Sequence, residues 1–312
     1  MPRFGFRLRH PATTVHSVAH AVGQWRRNLF QNAPQLNRNF LKGPSTELIM
    51  PSPSPAAGLA LAVADGVATL TFDRPQRKNA LTAQLWADLA ALVAQAPARG
   101  ARVLVLRGAG GDFCAGADIS EFDTVRRDAG TARAYEATNS AAFAAIRDLA
   151  IPTVAAIRGI CFGGGFGIAA ACDIRVAADD ATFSVPAARL GLAYPHDAMA
   201  DIVRACGPQM AKLLTFGAGR IDAARALGAG FLAEVVPAAA LDAHAAGLAA
   251  AIAANAPLSV RASKAAIRAV LTGAPADAEA ARALGAATFD SADYAEGRAA
   301  FRDKRQPRFT GR

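Results

Sequence analysis

The chain is 312 residues long, with 53% hydrophobic and 19% charged residues, which excludes an intrinsically disordered protein and allows a core of substantial size. A formal charge of +9 raises the question of a nucleic-acid partner, but seven basic residues from Arg3 to Lys42 stand against Glu47 alone in the first fifty positions, and only +3 remains beyond them. Those remaining cations are scattered rather than interleaved with aromatic residues, so a nucleic-acid face is not expected, whereas a polyanionic small ligand would suit the mild positive bias.

Residues 1–49 are rich in arginine, poor in acids and without apolar periodicity. They end in the run Met50-Pro51-Ser52-Pro53-Ser54-Pro55, so residues 1–57 are read as a disordered, targeting or extension segment outside the folded body. Two readings stay open: a transit-type segment, which implies the mitochondrial matrix, or an extension upstream of Met50, which implies a cytoplasmic protein.

From Leu59 the pattern turns strand-like. Residues 59–64 and 67–72 are joined by Asp65-Gly66, the pair favoured in a two-residue hairpin turn. Thr82 offers an N-cap to a helix carrying Leu85, Leu89, Leu92 and Val93 at helical spacing, and residues 102–106 form the short apolar run of a buried strand. A second unit follows, with an amphipathic helix over 135–149, a strand over 153–157, a glycine cluster, a short helix and a strand over 174–177. Beyond about Pro195 the sequence reads as Ala- and Leu-rich helix, broken near Gly207-Pro208, Pro257 and Gly273. The Ala-rich uncharged stretch over residues 245–260 contains Asn255 and Pro257, so no membrane-spanning helix is expected. The expectation is an α/β core over 58–195 followed by a helical region over 196–312.

Two glycine-containing segments each lie between a strand and a helix: GDFCAGADI at 111–119 and CFGGGFG at 161–167. Small residues let a ligand approach the backbone there, and amides at a helix start lack intrahelical acceptors, which makes them donors to an anion or oxyanion. Neither segment completes the dinucleotide motif GxGxxG, because Phe113 and Ile168 occupy the sixth positions. Cys114, Cys161, Cys172 and Cys206 have no CxxC spacing and no nearby histidine, so neither a metal site nor a redox pair is expected, and they are read as reduced, buried thiols. Ser184 lacks a GxSxG elbow, and Cys114 lacks a basic partner.

FCAGADI followed by GGG, with Cys172-Asp173 after the short helix and FRDKRQPRF at 301–309, resembles the crotonase superfamily of enoyl-CoA hydratases and isomerases over residues 58–312. The run from Asp73 to Leu81 is similar to that family's first CoA-contacting turn. The resemblance implies a crotonase-like spiral of ββα units with a helical C-terminal region that assembles a homotrimer or hexamer. It also implies an acyl-CoA thioester as substrate and partner, with coenzyme A entering only as part of it and no metal or redox cofactor. Carried over by position, it makes the backbone amides of Ala115 and Gly164 the two donors of an oxyanion hole for a thioester enolate. It places Ala80, Gly163 and the run Ala115, Gly116, Ala117, Asp118, Ile119 along the CoA moiety, Arg77, Lys78 and Lys304 near its phosphates, and Phe301 at the acyl entrance.

Hydratases of this family use two glutamates, and the matching positions here are Gly167 and Ala187. Neither can titrate, so hydration by the two-carboxylate route is not expected. Other members carry an acid on the following loop, where this chain has Gly191 to Asp197, so Asp197 and His196 are the acid/base candidates, with helix capping as the competing reading of Asp197. Glu121 is a further carboxylate, with compensation of a helix dipole as its competing reading. The expected activity is lyase chemistry of the hydratase/isomerase type in fatty acid metabolism, with decarboxylation, isomerisation or non-catalytic acyl-CoA binding as alternatives.

Overall fold

A hairpin opens the part of the chain described by the computed structural model, residues 58–312; the segment 1–57 lies outside the described residues. Strands β1 (Leu59–Ala64) and β2 (Val67–Phe72) pair antiparallel, with Ala64 opposite Val67. Asp65 and Gly66 have φ of 51° and 77°, the backbone of a tight turn whose twist matches the strands. Helix α1 (Ala83–Ala98) starts at the expected cap, where the Leu85 N–H donates to the Thr82 hydroxyl at 3.3 Å, and it buries Leu85, Trp86, Leu89, Leu92 and Val93. Strand β3 (Val103–Gly108) then lies parallel to β2.

The second unit contains helices α2 (Phe122–Val125) and α3 (Ala129–Arg147), strands β4 (Thr153–Ile157) and β5 (Ile160–Phe162), helix α4 (Gly164–Ala171), and strands β6 (Ile174–Ala178) and β7 (Thr182–Ser184). Helix α3 begins well before Tyr135 because Asp128 and Thr131 form a reciprocal capping box that starts the helix at Ala129. Beyond it come α5 (His196–Gly217), bent at Gly207 with φ of 73°, then β8 (Arg220–Asp222), α6 (Ala223–Gly228) and β9 (Glu234–Val236). Helices α7 (Leu241–Ala254), α8 (Pro257–Thr272), α9 (Pro275–Ala287) and α10 (Ala292–Arg302) complete the chain, with Pro257 opening α8 and Gly273 closing it.

The main sheet has six strands in the order β1-β2-β3-β4-β6-β9, and β5-β7-β8 form a second sheet of three. Strands β8 and β9, each of three residues, are too short to show a periodicity. Yet β9 runs parallel beside β6 and β8 pairs antiparallel with β7, so both sheets draw a strand from beyond residue 195. That boundary marks a change of composition, and the described residues on both sides of it belong to one unit.

Strands β3 and β4 are buried on both faces because helices cover each side of the sheet. Val103, Val105, Val154 and Val176 pack against α7, whose Leu241, Ala245, Ala249 and Ala253 recur at four-residue spacing and let helix and sheet approach closely. Leu104, Leu106, Ala155 and Ile157 face the larger core with α1, α3 and α4. Among the described residues, no single helix is long and apolar enough to cross a membrane.

Candidate functional site

The two glycine segments meet at the ends of β3, β4 and β5. The Cys114 N–H donates to the Ile160 carbonyl and the Phe162 N–H to the Cys114 carbonyl, each at 3.0 Å. On the other side the Leu81 N–H donates to the Gly116 carbonyl at 2.8 Å and the Asp118 N–H to the Leu81 carbonyl at 2.9 Å. Buried Asn79, with φ of 57°, fixes the loop by donating through Nδ2 to the carbonyls of Ala109 at 2.9 Å and Asp112 at 2.7 Å. Asp118 is a buried clamp that lies 3.0 Å from the Arg74 guanidinium and accepts from Ser120. Burial opposes its charge, but Ser120 and Arg74 outweigh that and hold its carboxyl below the ordinary range.

Close approach explains the glycines. A Cβ on Gly116, whose φ is 92°, would lie 2.6 Å from the Gly164 nitrogen, and one on Gly165 would lie 2.1 Å from the Cys114 carbonyl oxygen. The Cys114 thiol packs between the Asn79 carbonyl at 3.1 Å and the Gly116 N–H at 3.3 Å, and burial pushes its pKa to about 12. It is a packed thiol rather than a nucleophile.

Backbone donors can be sorted by what each already touches. The Ala115 N–H donates to the Lys78 carbonyl at 2.9 Å, which corrects its assignment as an oxyanion donor: its hydrogen is committed to the fold. The N–H groups of Ala117 and Gly164 have no acceptor among the described residues, and both residues line one small cavity of about 50 Å³ with Trp86, Arg126, Glu136 and Tyr194. Gly164 is the first residue of α4, at the positive end of that helix. At the opposite end, the Arg175 guanidinium donates to the carbonyls of Ala169 at 3.2 Å and Cys172 at 2.6 Å, which satisfies the last turn.

The acid/base expectations fare differently. A Cβ on Gly167 would meet the Phe143 ring at 2.7 Å, so that ring fills the space a glutamate would need. Ala187 lies in the turn Pro186–Leu190. His196 and Asp197 are 95% and 69% exposed and border a separate groove of about 950 Å³ beside α5 and α8. The structure therefore does not bring them to the cavity, and the N-cap of α5 is Pro195, so Asp197 does not cap the helix either. The loop instead delivers Tyr194, whose buried hydroxyl lies 3.8 Å from the Cβ position of Gly163. Burial drives its pKa far upward and Glu136 adds to the effect, so the phenol keeps its proton. Glu121 accepts the Ala83 N–H at 2.8 Å and so compensates the start of α1.

Of the residues expected along CoA, Ala80 is buried, Gly163 caps α4, and Arg77, Lys78 and Ile119 are exposed on adjoining turns. Phe301 and Lys304 are exposed at the end of α10, and no hydrogen bond among the described residues joins them to the 115–119 loop. Trp86, Arg126, Glu136, Asn139 and Tyr194 were not singled out by the sequence. One signal was present: Asn139 interrupts the buried stripe of α3 midway between Tyr135 and Phe143.

Comparison with known proteins identifies the family. A family model described as enoyl-CoA hydratase/isomerase matches residues 62–312. A probable mitochondrial enoyl-CoA hydratase 2 of Arabidopsis thaliana is 33% identical over 92% of this chain and 97% of its own length. A (7aS)-7a-methyl-1,5-dioxo-2,3,5,6,7,7a-hexahydro-1H-indene-carboxyl-CoA hydrolase of Rhodococcus jostii is 36% identical over 66% of this chain and 78% of its own. Among solved structures, an enoyl-CoA hydratase/carnithine racemase of Magnetospirillum magneticum superposes with a TM-score of 0.78 at 38% identity, covering 82% of this chain and 96% of that one. With the crotonase fold and the paired glycine loops in place, the chain belongs to the enoyl-CoA hydratase/isomerase family of acyl-CoA-processing enzymes.

Proposed function

We propose that the chain binds an acyl-CoA thioester and holds its carbonyl oxygen between the N–H groups of Ala117 and Gly164, stabilising the enolate formed when charge develops at the α-carbon. The observation that carries this reading is the pair of N–H groups without acceptors on one cavity, one of them at the positive end of α4. Each such donor is worth roughly 100- to 1,000-fold in rate. Exposed Arg77 and Lys78 flank the loop and suit the CoA phosphates. The exposed apolar side chains of Ile267, Val270, Leu271 and Phe289 suit a homotrimeric or hexameric contact.

Because Gly167 and Ala187 cannot exchange a proton, acid/base work falls to Glu136, the one carboxylate among the described residues that lines the cavity, with the Tyr194 phenol, which keeps its proton, as a hydrogen-bond donor. The same positions favour a second reading, in which decarboxylation, where the enolate takes up one proton, or isomerisation, where one group removes and returns a proton, replaces hydration. The test uses the full chain with crotonyl-CoA and, separately, acetyl-CoA in deuterium oxide, following enoyl absorbance and α-carbon exchange. Ala117→Pro removes an N–H that serves no acceptor in the fold. Turnover or exchange that falls about 100-fold or more in the variant supports the reading, an unchanged rate overturns the Ala117 assignment, and absence of CoA-thioester binding overturns the whole.

A further inference from the structure

Resting on the acyl-CoA reading, we infer that the cavity selects a short acyl group ending in a carboxylate, and that Arg126 is the residue that recognises it. Six buried side-chain nitrogen or oxygen atoms lack a hydrogen-bond partner among the described residues. One, His244 Nε2, lies 3.0 Å from the Glu234 carboxylate. The other five are Trp86 Nε1, Arg126 Nε and Nη1, Asn139 Oδ1 and the Tyr194 hydroxyl, and all four residues line the cavity that holds Ala117 and Gly164, with Trp86 and Asn139 also near the Tyr135 hydroxyl and Arg126 and Tyr194 the more open pair. Buried polar atoms in folded proteins are nearly always paired, so their convergence on one cavity marks a ligand that supplies the partners.

The chemistry of the five atoms sets the chemistry of the ligand. Four can donate and one can only accept, so the complement is rich in lone pairs, as a carboxylate is. Arg126 is placed for it. The Phe122 and Tyr135 rings each lie 4.8 Å from its guanidinium carbon and help to bury it. Nη2 is held by Glu136 at 2.6 Å, while Nε and Nη1 remain open. The two open nitrogens stand on either side of the Cδ bond and their hydrogens diverge, so each is a separate donor to one lone pair. Glu136 is 30% exposed and Arg126 only 11% exposed, so the ion pair balances the charge and the two open donors are left to the cavity. The volume of about 50 Å³ admits roughly four water-sized groups, which restricts the acyl group to a short one.

The experiment compares malonyl-CoA with 3-methylbutanoyl-CoA, its apolar isostere, by calorimetric titration of the full chain and of Arg126→Gln, with mass analysis of the ligand afterwards. The wild-type chain should bind malonyl-CoA at least about tenfold more tightly, the worth of one hydrogen-bonded charge, and the preference should collapse to within about threefold in the variant. Consumption of malonyl-CoA but not of the isostere also supports the inference. Tyr194→Phe deletes one hydroxyl and keeps the ring, so it should reduce the preference even where Arg126→Gln does not fold. Equal affinity in the wild-type chain, or a preference that survives both substitutions, overturns the inference while leaving the acyl-CoA reading intact. Failure of both thioesters to bind overturns the two together.

Discussion

The two walls of the small cavity are built on opposite principles. One, from Gly116, Ala117 and the start of α4, is backbone packed so closely that a single added methyl group would collide with it. The other, from Trp86, Arg126, Asn139 and Tyr194, is made of long polar side chains with atoms to spare. Backbone amides fixed by a fold offer the same geometry to every ligand, so the first wall suits the constant part of a thioester. Side chains can change without disturbing the sheet, so the second suits the part that differs between substrates.

Three experiments probe that contrast, starting from the substitution with the largest effect. Gly165→Ala places a Cβ 2.1 Å from a backbone oxygen that cannot move without breaking the Cys114 to Phe162 bond. It should cost about 3 kcal/mol or more, read as a fall in the denaturant midpoint, whereas Tyr194→Phe on the other wall should leave that midpoint within about 1 kcal/mol. Gly167→Glu drives a carboxylate into the Phe143 ring and should destabilise by about 1–3 kcal/mol without creating hydratase activity. Adding Phe143→Ala opens the space, so the double variant should be more stable than the sum of the singles by on the order of 1 kcal/mol in a double-mutant cycle. Strict additivity would show that Phe143 is not the obstacle.

The last test concerns two buried thiols, Cys114 beside the first wall and Cys172 at the far end of α4. Burial raises Cys114 and Cys172 to about 12. Their folded pKa lies above the unfolded one, so the stability they contribute is complete below the ordinary thiol range near 9 and is lost as pH rises from there through about 12. The denaturant midpoint should therefore fall with alkalinity above pH of about 9, and alkylation at neutral pH should be slow until the chain unfolds. Rapid labelling of the native protein would break the assignment.

Legibility in the sequence followed the same division. Strand and helix starts were readable because Asp65-Gly66, Thr82 and Pro257 each impose a local geometry that needs no tertiary partner. Both glycine segments were readable as a pair for the same reason. The donor within the first segment was not, because Ala115 and Ala117 differ only in whether a carbonyl from Lys78 reaches them, and that is settled by packing between distant segments. Arg126, Glu136 and Tyr194 come from a short helix, a long helix and a loop whose convergence no spacing encodes. His196 and Asp197 had the right residue types on the right loop, but a turn at Pro195 sends them to another surface.

Helix α4 carries open N–H groups at one end and an arginine-capped carbonyl turn at the other. Neither end exchanges protons in the range where enzymes work, so the field it casts on a bound oxygen is a constant. A rate profile measured against acidity would then carry no inflection from the oxyanion wall, and each limb would belong to side chains or to the ligand itself. Acidity becomes a reporter on one half of the cavity alone.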